Sequence, residues 1–210
     1  MKIVCISDTH TYHNQIKIPP GDVLIHAGDV SHDGSIEQVQ DFLDWFSRLP
    51  HKDKIFIAGN HDRILQDDPE WTRAMVPDGV TYLQDSGVEV EGLYFYGSPW
   101  TPRYGRHRAF AKERGTLRDK WSLIPDQTSV LITHGPPMGI LDITLRPPCE
   151  HVGCPELSQR VRQVQPKLHV CGHVHEGWGI KKHGHTHFVN AGIWNHRAGG
   201  LLQDPIVINI

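Results

Sequence analysis

Five short motifs carry most of the chemistry open to this sequence: Asp8-Thr9-His10, Gly28-Asp29, Gly59-Asn60-His61-Asp62, His134, and Gly172-His173-Val174-His175. Their carboxylate, imidazole and amide groups are hard to borderline metal donors, and no thiolate stands among them. Asp8 and His10 are two residues apart, as are His173 and His175, so in extended backbone each pair points one way and can grip an ion. Asp29 follows a glycine turn, where a carboxylate can bridge two ions, and Asn60 adds an amide oxygen without charge. Asp8, His10, Asp29, Asn60, His134, His173 and His175 therefore suffice for two divalent metals sharing one oxygen ligand. With neutral imidazoles, such a centre carries about +2 before hydroxide binds. It attracts a phosphate and lowers the pKa of a bridging water, which equips it for metal-assisted attack of water on a phosphate ester. His61 is not needed as a ligand; with Asp62 beside it to orient the ring, it can protonate the leaving oxygen as a general acid.

These groups need strands to carry them. Short Val-, Ile- and Leu-rich runs at 3–6, 23–26, 55–58, 130–133, 168–171 and 206–210 read as buried strands, and most of the motifs begin just past one. Residues 35–49 read as a helix with Ile36, Val39, Phe42, Leu43 and Phe46 on its apolar face, a Ser35/Gln38 capping box and Pro50 as its stop. Residues 155–164 read as a second helix opening on Pro155. Runs at 80–83, 88–90 and 93–96, divided by Asp-Ser-Gly and Glu-Gly, suggest antiparallel hairpins, as do 177–182 and 187–190. Two sheets packed face to face with helices outside accommodate both patterns.

Composition bounds the rest. A length of 210 residues suits one domain, and 38% hydrophobic with 21% charged residues is ordinary for a soluble globular chain. A net charge of −3 argues against a general nucleic-acid binder. The 16 histidines point toward metal chemistry. No apolar run is long enough for a signal peptide or a membrane span, and the four cysteines form no C-x-x-C pair, so a cytoplasmic protein with reduced thiols is expected.

Other candidates are weaker. Trp100, Arg103 and Arg106 lie in a Pro- and Arg-rich loop that reads either as a substrate clamp or as a solvated loop with Trp100 packed inward. His196 is a candidate for the pocket rim. His151 and Cys154 read as a loop over the site or as a locally satisfied turn. His183, His185 and His187 alternate along what reads as an exposed hairpin rather than a third metal site.

In order and spacing, the motifs resemble those of the calcineurin-like metallophosphoesterases, from Asp8 to Asn190-Ala191-Gly192. The resemblance implies an α/β fold: a four-layer α-β-β-α sandwich with two central mixed β-sheets, here one domain over residues 1–210. It implies one metal on Asp8, His10, Asp29 and His175 and another on Asp29, Asn60, His134 and His173, with His61 facing the substrate. Tyr96-Gly97-Ser98-Pro99-Trp100, Thr133-His134-Gly135-Pro136-Pro137, His151-Val152-Gly153-Cys154 and His175-Glu176-Gly177 are similar to the brain-type metallophosphoesterase domain-containing branch and its bacterial relatives. That branch is associated with metal-dependent phosphodiesterase activity, cyclic nucleotides included. Some members carry glycine at the position of His173, which weakens the second metal site; this chain is expected to hold both metals. The expected cofactors are two divalent ions, Mn²⁺ first, with Fe, Zn²⁺, Ni²⁺, Co²⁺ or Mg²⁺ as alternatives. The expected partner is a small phosphoester such as a nucleotide, with no membrane. A phosphomonoesterase or nucleotide pyrophosphohydrolase on the same centre is the alternative, and a non-catalytic scaffold a more distant one.

Overall fold

In residues 3–6 every side chain is buried, yet neighbours must face opposite ways, so both faces of that strand have to be covered. The computed structural model, which describes residues 1–105, 109–145, 149–195 and 200–210, shows how. The first half runs β1 (Lys2–Ile6), β2 (Val23–His26), α1 (Ile36–Ser47), β3 (Asp53–Phe56), α2 (Arg63–Asp67), α3 (Pro69–Met75) and β4 (Val80–Tyr82). There follow β5 (Ser86–Val90), β6 (Leu93–Ser98), β7 (Thr101–Pro102), β8 (Ala111–Lys112), α4 (Arg118–Trp121) and β9 (Val130–Thr133). The chain then forms α5 (Pro155–Val164), β10 (Leu168–Cys171), β11 (Gly179–His183), β12 (Thr186–Asn190), β13 (Trp194–Asn195), β14 (Leu201–Leu202) and β15 (Ile206–Asn209).

Two mixed sheets dominate, ordered β15-β1-β2-β3-β4 and β11-β12-β10-β9-β6-β5. In the first, β1 to β4 run parallel and β15 closes the edge antiparallel to β1. In the second, β6, β9, β10 and β12 are parallel, with antiparallel β5 and β11 at the edges. Ile3 and Cys5 of β1 pack with Val130, Ile132 and Val170 of the other sheet, forming the middle of the molecule. Val4 and Ile6 face the opposite way, onto Val39, Phe42, Leu43 and Phe46 of α1. Leu131 and Phe188 of the second sheet turn outward onto Trp121 of α4 and Leu157 and Val161 of α5. The layers are therefore helix, sheet, sheet, helix, as the resemblance implied.

Several local expectations need correction. Ile36 is 44% exposed, so the buried face of α1 starts at Val39. The Ser35/Gln38 capping box does not form: Ser35 makes no side-chain cap, and Gln38 Oε1 instead accepts the backbone N–H groups of His32 and Asp33 at 2.8 and 3.2 Å. Those two donors of the loop before α1 compete successfully for the amide oxygen. Residues 80–83 do not hairpin with 88–90; β4 extends the first sheet parallel to β3, and the chain then crosses to the second sheet. The third strand begins at Asp53, where buried Lys54 donates to the His51 carbonyl at 3.0 Å, and its ladder ends at Phe56. Helices α2 and α3 add to the elements legible in the sequence, α3 opening where Asp68 caps Trp71 N at 2.9 Å ahead of Pro69. No helix among the described residues is long and apolar enough to cross a membrane.

Phe42 is fully buried, stacked on Phe46 and edge-on to His26 and Phe56. Phe42→Ala should cost about 3–5 kcal/mol of unfolding free energy in a urea titration. Ile36→Ala on the exposed side of the same helix should stay within about 0.5 kcal/mol; equal losses would contradict this orientation of α1.

Candidate metal centre

The chemical motifs sit where parallel strands end. Asp8 and His10 follow β1, Asp29 follows β2, and Asn60 and His61 follow β3. From the second sheet, His134 follows β9, and His173 and His175 follow β10. Carboxyl ends of parallel strands are where open α/β sheets place ligands. Turning off so sharply puts Asp8 (φ 55°), His10 (φ 42°), Asp29 (φ 56°) and His173 (φ 65°) in left-handed backbone. Non-glycine residues held this way cost on the order of 1–3 kcal/mol each and persist only where surrounding contacts enforce them. Here Asp8 N donates to Gly28 O at 2.9 Å and His10 N to Asp29 O at 3.1 Å. Two glycines permit the close approach: a side chain at Gly59 would collide with Asp29, and one at Gly172 with Asp8 and Ser7.

The result is two donor groups. One ligand atom each from Asp8, His10 and His175 lies within 4.8 Å of the others, and the same holds for Asp29, His134 and His173. Asp29 Oδ2 faces both groups, 3.8 Å from His10 Nε2 and 3.4 Å from His134 Nε2. Asn60 Oδ1 lies 2.9 Å from His134 Nε2, and Asp8 Oδ1 3.3 Å from His175 Nε2. The Nδ1 atoms of His134 and His10 donate to the carbonyls of Ala27 (2.9 Å) and Ser31 (3.1 Å), so Nε2 of each turns inward. All seven expected ligand residues thus converge, and their N/O donors, aimed from backbone-anchored rings, suit two divalent cations.

Charge is finely balanced here. Burial alone would raise both carboxyls, but His175 against Asp8 and His134 against Asp29 overcome it and hold both well below the usual carboxylate range. Burial pushes His10 down to about 4 and His173 to about 3, leaving neutral imidazoles. Burial opposes protonation of His134 too, yet the Asp29 carboxylate outweighs it and holds the ring up at about 9.

His61 lines the cleft, with Nε2 4.0 Å from Asp29 Oδ2 and its ring 4.6 Å from that of His10. Its Nδ1 donates to the His32 carbonyl at 2.6 Å. That carbonyl, not Asp62, orients the ring. The Asp62 carboxylate instead accepts from Val30 N, Ser31 N, Ser31 Oγ and Gly59 N, binding the loop after β2 to the loop after β3. Burial and the nearby Asp29 charge push Asp62 up to about 6 against those donors.

Of the two readings of the loop at Trp100, the structure shows the indole packed inward. Trp100 donates through Nε1 to Asp85 at 2.9 Å, lies beneath Lys120 at 4.2 Å and packs edge-on to Phe110. Arg103 pairs with Glu113. Neither lines the cleft, whereas Tyr104, Arg114 and Glu176 do. Arg114 is locked by donating to the carbonyls of Gly153 and Val152, both at 2.8 Å. Arg106 and His196 lie outside the described residues. His151 and Cys154 form a satisfied turn, His151 on Asp142 at 2.6 Å and Cys154 accepting from Trp121 at 3.2 Å. His183 and His185 are exposed around the β11–β12 turn. The sequence marks Asn190 only as part of a motif; its amide ties together the carbonyls of Leu141, Gly172 and Val174 beneath the histidine loop.

The two-sheet sandwich thus carries, at its strand ends, two Asp/His donor groups suited to divalent metals. A family model for calcineurin-like phosphoesterases matches residues 1–177, and the chain belongs to that family, whose chemistry is metal-dependent phosphoester hydrolysis. It is 42% identical to metallophosphoesterase domain-containing protein 1 of Homo sapiens, over all of this chain and 71% of that protein. It is 38% identical to UPF0046 protein K07C11.7 of Caenorhabditis elegans, over all of this chain and 75% of that one. Among solved structures, phosphopantetheinyl hydrolase of Mycobacterium tuberculosis superposes with a TM-score of 0.58 at 17% identity, covering 91% of this chain and 89% of that one. TT1561 of Thermus thermophilus gives 0.60 at 13%, covering 91% and 88%. At such identities these two likenesses concern the fold alone.

Two outcomes follow. Asp29→Asn should remove most bound metal from both groups, read as metal content after dialysis; two retained ions per chain would rule out a shared ligand. Because His134 holds a proton up to about 9, a divalent ion must displace it. Mn²⁺ affinity should therefore climb from pH 6.5 to 9, approaching about tenfold per pH unit, with proton release in calorimetry in two buffers. A flat profile would contradict the protonated His134–Asp29 pair.

Proposed function

We propose that the protein is a dinuclear-metal phosphodiesterase acting on small phosphodiesters, cyclic nucleotides among them. The observation that carries this is Asp29, which faces both donor groups while His61 shares the same cleft. Two bound divalent ions, Mn²⁺ first by donor type, would supply Lewis-acid polarisation of the phosphate and activation of water. Asp8, His10, Asp29 and His175 would hold one, and Asp29, Asn60, His134 and His173 the other.

The remaining steps belong to the protein's own groups. His61 spends Nδ1–H on the His32 carbonyl, so Nε2 is the atom that passes a proton to the leaving oxygen. That nitrogen stands 4.0 Å from Asp29 Oδ2, beside the atom the two donor groups share. Arg114, held by two carbonyls, presents a guanidinium to phosphate. Tyr104, 54% exposed at the cleft, offers a ring on which a base can stack. We read residues 1–210 as one domain because β15 pairs with β1. A reducing, cytoplasmic setting agrees with four free cysteines. The fixed Arg114 also suits a dianionic monoester, which keeps a phosphomonoesterase as the second reading.

Mn²⁺-supplemented hydrolysis of bis-nitrophenyl phosphate should exceed that of mono-nitrophenyl phosphate in kcat/KM; the reverse order would move the protein to the phosphatases. His61→Ala should slow esters with poor leaving groups by about 10²–10⁴-fold and nitrophenyl esters much less. Equal slowing of both would remove His61 from the general-acid role.

A further inference from the structure

We propose that His32, His61 and His10 form an additional, inhibitory site for Zn²⁺ at the mouth of the cleft. The proposal rests on the reading that His10 and His61 serve hydrolysis, because occupancy would take both away from it. One ring nitrogen from each of the three lies within 4.8 Å of the other two. The rings cluster with centroids 4.6 Å apart for His10 and His61, 5.8 Å for His32 and His61 and 6.1 Å for His10 and His32.

Hydrogen bonding already selects the atoms. His61 and His10 donate through Nδ1 to the carbonyls of His32 and Ser31, so each presents Nε2. His32 itself is exposed, but its backbone is pinned on both sides, N–H to Gln38 Oε1 at 2.8 Å and carbonyl to His61 at 2.6 Å. Around tetrahedral zinc, imidazole nitrogens stand roughly 3.4 Å apart. Rotation of the exposed His32 side chain supplies the closure without moving the backbone.

Chemistry sets the metal. Three imidazoles with no carboxylate in the set favour Zn²⁺ over Mn²⁺ or Mg²⁺, and three protein ligands plus water is an ordinary open zinc geometry. Asp29 Oδ2, 3.8 Å from His10 Nε2 and 4.0 Å from His61 Nε2, adds negative charge beside the ion. Zinc here competes with the Asp8–His10–His175 group for His10 and blocks the proton-donating atom of His61.

The test uses the intact protein and His32→Asn, whose exposed side chain belongs to neither donor group of the centre. Mn²⁺-supported diester hydrolysis is titrated with Zn²⁺, and Zn²⁺ affinity is measured in parallel by competition with a chromophoric chelator. With each protein's inhibition normalised to its own basal Mn²⁺ activity, the variant should need at least about tenfold more Zn²⁺ for half-inhibition, a ligand being worth no less than its supporting groups. The chelator competition should lose its corresponding tight step. Identical Zn²⁺ inhibition or identical affinity in the two proteins would overturn the site. If neither protein hydrolyses any phosphoester, the functional reading has failed, and the chelator competition still decides the zinc site by itself.

Discussion

Two carboxylates, Asp8 and Asp29, are held ionised in the interior, at 0% and 2% exposure, and the rest of the structure is arranged around that constraint. A charge so placed is strongly unfavourable unless it is paired and hydrogen-bonded. Each carboxylate therefore receives an imidazole and a backbone donor: His175 and His173 N for Asp8, His134 and His61 N for Asp29. Bringing a peptide N–H onto a carboxylate demands close backbone approach, hence the glycines at 59 and 172. It also demands left-handed turns straight after the strands, and these leave the same side chains converging from two sheets.

The sheets make such strain tolerable. Their shared middle layer is uninterrupted hydrophobic packing, and each outer face is covered by helices. The strand ends are consequently rigid mounts, and the loops between them are cross-tied. Asp62 joins the loops after β2 and β3, and Asn190 joins three carbonyls below His173 and His175. Neither residue belongs to a donor group, yet both fix where the donors stand.

What the sequence made legible was local. Short apolar runs, most with a donor just past the end, marked both the sandwich and the converging residues at 8, 10, 29, 60, 134, 173 and 175. What it concealed depended on distant partners. Arg114 is placed by carbonyls 38 and 39 residues away, and nothing in its own neighbourhood signals that. Trp100 reads equally as a stacking residue or as one packed inward, and its distant partners Asp85 and Lys120 decide for the packed position. Asp62 looked like the orienter of its neighbour, whereas four donors across two loops claim its oxygens. Gln38 serves two loop donors instead of a capping box, and the Asp33 carboxylate takes the Ser35 N–H that the box would have used.

The pairing of β15 with β1 has a consequence for synthesis on the ribosome. Residues 206–209 complete the sheet edge at the strand that carries Asp8 and His10, joining segments some two hundred positions apart. Sheet closure by such a non-local pairing bears a high loop-closure entropy and forms late. Until then β1 presents an unpaired apolar edge to the cell, a surface open to chaperones and to other nascent chains. The loop at its tip that carries Asp8 and His10 therefore gains its full rigidity only once residues 206–209 have paired with β1, so the donor cluster is among the last parts of the fold to be fixed.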